Sequence, residues 1–309
     1  MCSSDLKVRV PATTANMGPG FDVLGMALNI YNYVEMWEIS DGLEIIVDGE
    51  GKGSIDRGKN NIAYLIARRV FDRVGHEPSG LGIRLVNEIP TARGLGSSAA
   101  ALVGAALAAN VVSGGQLTEE EILGMVSEME GHPDNAVPAL VGGVTICIED
   151  DGGLVYRKMA PPSELQAVIA IPRYELSTEK ARSVLPKRVS FGDAIFNMGR
   201  VGLLVHALER GDLDLLGLAM KDRLHQPHRM PLIPGMGDVF SAALEAGAVG
   251  AALSGAGPTL IAFTAGDGDM PNIKAAMEEK FKDHEISCII KDVRPDLQGA
   301  VVLDENGGK

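Results

Sequence analysis

Three glycine-bearing turns hold most of the chemistry this sequence offers: Met17-Gly-Pro-Gly-Phe21, Gly94-Leu-Gly-Ser-Ser98 and Ser254-Gly-Ala-Gly-Pro258. Glycine accounts for 38 of the 309 residues, an excess over the average of about 7%, and the excess is concentrated there. Glycine tolerates positive φ and lets backbone N–H groups approach a ligand, so the three turns predict an anion held largely by main chain. The middle turn is the most informative. Pro90, Thr91, Ala92, Arg93, Gly94, Leu95, Gly96, Ser97, Ser98, Ala99 and Ala100 lead into an Ala-rich run that predicts a helix over 97–112. A helix start offers unpaired N–H donors and the positive end of the dipole, which suits phosphate. Ser97 and Ser98 either cap this helix or place a hydroxyl on a phosphate-bound Mg²⁺. No G-x-x-x-x-G-K-[ST] occurs, which excludes a Walker loop. Gly94 to Ala99 fits the loose dinucleotide pattern G-x-G-x-x-A, but the acidic cluster Glu119–Glu121 opens a helix where that pattern needs a strand-ending acid.

Polar residues gather around these turns in the sequence. Asn16 and Asp22 flank the first; read alone, one is a turn former and the other a cap. Glu130-Gly-His-Pro-Asp-Asn135 is a second polar cluster, and Arg182 and Arg229 lie in Thr178-Glu-Lys-Ala-Arg182 and Leu224-His-Gln-Pro-His-Arg229. A guanidinium fork matches a planar carboxylate. The spacing of Thr178 and Arg182 puts both on one helical face. His225-x-x-His228 is not read as a metal pair, because Pro227 disfavours helix at Gln226 and no third ligand is evident.

Taken together, Pro11 through Gly25, Ile89 through Ala100 and Leu253 through Leu260 resemble, in order, the three motifs of the GHMP kinases, and the first looks like the homoserine-acting version. The resemblance implies an α+β, two-lobed GHMP kinase fold, with a ribosomal-protein-like N-terminal lobe over 1–155 and a ferredoxin-like C-terminal lobe over 156–309. It implies MgATP in the first lobe and a small-molecule substrate, L-homoserine, between the two. Carried onto this sequence, it places Asn61 near the adenine and residues 90–100 around the phosphates, with Ser98 and Glu130 on Mg²⁺. Asn16, Asp22, His132, Asn135, Arg182 and Arg229 match substrate contacts. Asn16, Asn135, Asp134 and Thr178 match residues at the transferring phosphate, Asp134 either as a base or not. The implied reaction is transfer of the ATP γ-phosphoryl group to the side-chain hydroxyl, by a homodimer. Another GHMP small-molecule kinase (mevalonate- or shikimate-type) and a non-catalytic ligand sensor are the alternatives. A sensor would be expected to lose Ser98, Glu130, Gly94 or Gly96, and all four are present.

The elements that must position these residues are legible as alternating patterns. Strand-like runs fall at Leu6–Val10, Tyr33–Ile39, Leu43–Val47, Leu81–Val86 and Gly143–Ile148, then Gln166–Ile171, Val249–Leu253, Leu260–Phe263 and Ile286–Lys291. Helical spacing predicts Asn61–Val74, a helix capped by Thr118 and Glu121, and then Ala194–Leu208, Leu213–Met220, Gly237–Glu245 and Ile273–Phe281. The 46% hydrophobic and 22% charged composition can bury a core. A net charge of −13 argues against nucleic acid or an anionic membrane as partner. The charge-free stretches Gly94–Thr118 and Ala246–Gly266 are too rich in Ala, Gly and turn residues to read as spans. Three scattered cysteines and an N-terminus without a long apolar run predict a cytoplasmic protein.

Overall fold

The computed structural model describes residues 6–303, and Cys2 lies outside them. The chain first forms β1 (Lys7–Ala15), β2 (Leu24–Ile39), β3 (Gly42–Gly49), α1 (Ile62–Val74), β4 (Gly80–Asn87), α2 (Ser97–Val112), α3 (Glu119–Glu130), α4 (Pro133–Val141), β5 (Val144–Asp150) and β6 (Gly153–Met159). At 16 residues, β2 is long enough to take three antiparallel partners, β1, β4 and β5. β3 joins parallel to β4. The helix α2 is apolar on every side and therefore sits inside the lobe, against β1 and β2. Its small residues permit that approach: a Cβ on Gly104 would stand 2.6 Å from Val34 Cγ2. A helix wedged this tightly fixes whatever its first turn presents.

The second lobe runs β7 (Leu165–Pro172), α5 (Thr178–Ser183), α6 (Phe191–Arg210), α7 (Leu216–Ala219), α8 (Gln226–Arg229), α9 (Met236–Glu245), β8 (Gly250–Leu253), β9 (Leu260–Ala265), α10 (Met270–Asp283) and β10 (Cys288–Val293). Its four strands lie in the order β10-β7-β9-β8, antiparallel throughout. Numbered within the lobe that order is 4-1-3-2, the ferredoxin-like arrangement expected. All eight residues of β7 are buried, Gln166 among otherwise apolar side chains. The last strand, β11 (Val301–Leu303), returns to the first sheet and pairs with β1, Lys7 opposite Leu303.

Several elements differ from the sequence reading. β1 and β2 extend inward to Ala15 and Leu24, so the first glycine turn is a tight connection between two strands. β6 was not anticipated; a division at 155/156 falls inside it, because its pairing with β5 keeps Gly153–Met159 in the first sheet. α4 was also not anticipated. Pro133 occupies its first position, where a missing N–H costs nothing, and Pro138 lies within it. Proline likewise sits in the first turn of α8, so Gln226 is helical after all. The expected helix over 213–220 divides into a 3₁₀ turn at Leu213–Leu215 and α7. The capping box at Thr118 and Glu121 is present in full.

Candidate active site

The three glycine turns meet at the junction of the lobes, and they pack on one another. Asn16, Met17 and Asp22 hold positive φ, so the first turn concentrates backbone strain in residues that are not glycine. The Asn16 amide stabilises this: Nδ2 donates to Gly255 O at 2.9 Å, and Oδ1 accepts the Asp22 N–H at 3.1 Å. Gly94 lies against the third turn, where a Cβ would stand 2.2 Å from Ser254 O. Ser254 Oγ donates to Gly94 O at 2.7 Å, and the Thr259 N–H reaches Arg93 O at 3.2 Å. The third turn thus packs on the middle one while bordering the cavity through Gly255 and Ala256, and it is the middle turn that opens a helix.

That helix, α2, begins after Gly96 in the left-handed region, with no side-chain cap. Both serines point elsewhere. Ser97 Oγ donates to Ile89 O, and Ser98 Oγ donates to Glu130 Oε2 at 2.9 Å. Of the two readings of Ser98, the structure favours a hydroxyl beside a carboxylate over a cap. Burial pushes the Glu130 carboxyl above its usual range, against the opposing effects of Ser98 and His132. A hydroxyl and a carboxylate are hard oxygen donors of the kind Mg²⁺ takes one or two at a time beside phosphate and water. No group of three or more His, Cys, Asp or Glu is arranged for a metal among the described residues. A divalent ion here would therefore draw its remaining ligands from phosphate and water.

Across the same cavity stands the second polar group. His132 is the N-cap of α4, with Asp134 and Asn135 in its first turn. His132 Nδ1 lies 2.8 Å from Asp134 Oδ1, which Asn135 Nδ2 also approaches at 3.4 Å. Burial opposes charge on His132, but Asp134 and Glu130 outweigh it and raise its pKa. The fully buried Thr13 hydroxyl donates to Asn135 Oδ1 at 2.7 Å and so fixes which way the amide faces. Sequence reasoning missed Thr13; the available signal was the polar pair Thr13-Thr14 inside an otherwise apolar strand end.

The arginines come from the other lobe. Arg182, on α5 one turn after Thr178, makes a bidentate pair with Asp22 at 2.7 and 3.0 Å. Both guanidinium centres, of Arg182 and Arg229, stand 5.3 Å from the Phe21 ring centroid. Arg229 is 2% exposed, and burial together with Arg182 brings its pKa down to about 10. Asn16, Asp22, Thr178, Arg182 and Arg229 thus line one cavity with Gly94–Ser98, Glu130 and the His132–Asn135 group.

A second cavity of about 280 Å³ adjoins it, sharing Ala92, Ser97 and Ser98. Asn61 lines it with Thr91, Ile55 and Leu85, while Asn61 Oδ1 caps α1 by accepting the Ala63 N–H at 2.9 Å. Pro90, Ala99 and Ala100 are buried and line neither cavity. They pack the loop in place and do not face it. Arg93 borders the first cavity, yet its nitrogens donate to the carbonyls of Pro172, Thr91 and Arg173. It fastens the middle turn to the end of β7.

The profile of the GHMP kinases N terminal domain matches residues 61–143, and that of the GHMP kinases C terminal domain matches 204–283. A homoserine kinase of Moorella thermoacetica is 50% identical over 296 residues, 96% of this chain and 99% of that protein. One of Carboxydothermus hydrogenoformans is 44% identical over 296 residues, 96% of each. Among solved structures, homoserine kinase from Cytophaga hutchinsonii gives a TM-score of 0.89 at 33% identity, covering 97% of this chain and 98% of that one. L. major mevalonate kinase in complex with R-mevalonate gives 0.74 at 19% identity, covering 96% and 99%, a likeness of fold.

Proposed function

The chain belongs to the homoserine kinase family of the GHMP kinases, and from that membership we propose how its own residues carry out the transfer. It is an ATP-dependent kinase with an alcohol acceptor. The reaction moves the γ-phosphoryl group of ATP to the side-chain hydroxyl of L-homoserine, giving O-phospho-L-homoserine in threonine biosynthesis. One observation supports the residue roles above the rest. A single cavity joins the uncapped start of α2 and the Ser98–Glu130 oxygens to two guanidiniums and a carboxylate from the facing side.

In this reading the α2 N–H groups and the Gly94–Ser98 backbone cradle the phosphates. The adenine lies in the adjoining cavity beside Asn61. Ser98 and Glu130 hold Mg²⁺, which when bound neutralises charge on the phosphates during transfer. Arg229, with Arg182, takes the amino-acid carboxylate, and Asp22 takes the ammonium. Since Asp22 and Arg182 pair with each other, the zwitterion joins an existing ion pair and supplies each partner with its complement. Mevalonate has no ammonium to offer Asp22, which favours an amino acid over that alternative.

Phosphoryl transfer asks mainly for positioning and charge neutralisation. Asn135, its Oδ1 held by Thr13 and its Nδ2 3.4 Å from Asp134 Oδ1, keeps one amide hydrogen for the reacting groups, and Asn16 holds the loops that frame them. Thr178 stands at the phosphate from the facing lobe. Asp134 Oδ1 already accepts from His132 and Asn135, so its part is to orient these two, and no strong base is required. The test is Asn135→Ala. Turnover should fall by about 10²-fold or more while ATP binding changes by less than a few-fold; equal losses in both would refute the positioning role.

We also propose a cytoplasmic homodimer. Its support is the face of α6, where Phe191, Ile195 and Met198 are 82%, 52% and 64% exposed. Gly199 and Gly202 follow on that face, each with open space where a Cβ would be. A second copy of α6 running antiparallel brings the large side chains of each against the glycines of the other.

A further inference from the structure

Arg229 is held by a histidine that the reaction scheme leaves without a role. His225 is wholly buried, one helical turn before Arg229. Its Nε2 lies 2.7 Å from Gly18 O, and its Nδ1 lies 3.3 Å from Arg229 Nη1. A carbonyl only accepts and a guanidinium only donates. Nε2 therefore bears the proton and Nδ1 presents its lone pair; no other protonation state satisfies both neighbours.

The surroundings agree with a neutral ring. Asp222 lies 3.5 Å from Nε2, but its oxygens are already engaged. Oδ2 accepts the N–H groups of His225 and Gln226, and Oδ1 accepts that of Leu224 and the Asn197 amide. Burial holds the ring below the ordinary histidine range against the pull of Asp222; Arg229 reinforces burial, and the Gly18 carbonyl and Asp22 oppose it. The centroid of the Phe21 ring lies 5.2 Å from that of the imidazole. Arg229 itself donates from Nε to Ala181 O at 3.2 Å and from Nη1 to Gly255 O at 2.9 Å. Its three hydrogen-bond partners among the described residues are all neutral, so its charge is left for an anion in the cavity it lines.

We propose that His225, as the neutral Nε2–H tautomer, is a positioning residue that locks Arg229 to the first glycine turn and so sets the geometry of the substrate carboxylate site. The proposal rests on the reading of Arg229 as the carboxylate group. It ties that group to the turn bearing Asn16 and Asp22, so the two ends of the amino acid are gripped from one rigid unit. Protonation at Nδ1 would aim an N–H at a guanidinium and release it.

The first test is a long-range ¹⁵N-edited spectrum of the full-length protein at neutral pH. It should show His225 protonated at Nε2 alone; a proton at Nδ1 overturns the proposal. The second is kinetic. His225→Gln keeps a donor near Nε2 but no acceptor at Nδ1, and should raise the homoserine KM roughly tenfold to hundredfold, the range for one hydrogen bond to a charged group. kcat and the ATP KM should change far less. His225→Asn, with an acceptor near Nδ1, should recover most of that loss. In the wild type the homoserine KM should rise as pH falls below the ordinary histidine range, and in His225→Asn that acid limb should vanish. If His225→Gln lowers kcat and both affinities together, or leaves the homoserine KM alone, the positioning role is wrong. Arg229→Lys separates the two readings. If it too leaves the homoserine KM unchanged, the carboxylate assignment fails; if it raises that KM while His225→Gln does not, only the present inference fails.

Discussion

Glu130 and Ser98 show how much one contact can carry. Burial disfavours charge on Glu130 and lifts its pKa above the usual range, against the Ser98 hydroxyl that donates to it. The sign of the pH effect follows. Only the ionised carboxylate binds Mg²⁺, so affinity is complete above the raised pKa and is lost as pH falls through it. That loss should begin closer to neutrality than for an exposed glutamate, and a Mg²⁺ titration of the nucleotide complex at several pH values measures it. Glu130→Gln should weaken Mg²⁺ at all pH values and flatten the dependence. At this scale the structure lines one cavity with Ser98, Glu130, Asp22 and Arg229, which stood out through their match to the family motifs. Thr13 and His225 did not, since a hydroxyl or imidazole that acts through another side chain leaves no spacing of its own. Arg93 borders the cavity while donating to backbone carbonyls, an arrangement that its place in a glycine-rich loop does not reveal.

Among the elements, α2 sets the precision of the site, since its N-terminus faces the cavity and its body fills the lobe. Gly104→Val would force a side chain against Val34 and Val10. The expected cost is about 1–3 kcal/mol of stability, read as a lower denaturation midpoint, with the ATP KM rising because the helix start shifts. The unbroken Ala-rich run made this helix plain in the sequence. α4 was hidden by its prolines, which mark a helix start at Pro133 but ordinarily argue against a helix around Pro138. β6 was hidden because four of its seven residues are exposed, so it has little apolar pattern. On α6 the exposed Phe191, Ile195 and Met198 make a direct prediction. Ile195→Glu should turn a dimer into a folded monomer by sedimentation velocity. A dimer that survives it places the interface elsewhere, and a monomeric wild type removes the dimer altogether.

The described residues form two sheets, of seven and four strands, with the cleft at their junction. Asp22 and Arg182 bridge the lobes, Arg93 anchors the middle turn to β7, and Val301–Leu303, as β11, pairs with β1 in the first sheet. No helix among the described residues is long and apolar enough to cross a membrane. The match of the three turns, in order, to the family motifs implied the two-lobed plan, whereas their mutual packing, Gly94 on Ser254 and Asn16 on Gly255, exists only in three dimensions. In the function proposed, this cleft holds an amino acid by both charged ends while its hydroxyl meets the phosphate. The most direct measurement is ADP release with MgATP and L-homoserine, set beside 3-amino-1-propanol, which lacks the carboxylate, 4-hydroxybutyrate, which lacks the ammonium, and mevalonate. Turnover should be strong with L-homoserine and lower in kcat/KM by about tenfold or more for each missing charge. Equal turnover of the analogues, or preference for mevalonate, would contradict it.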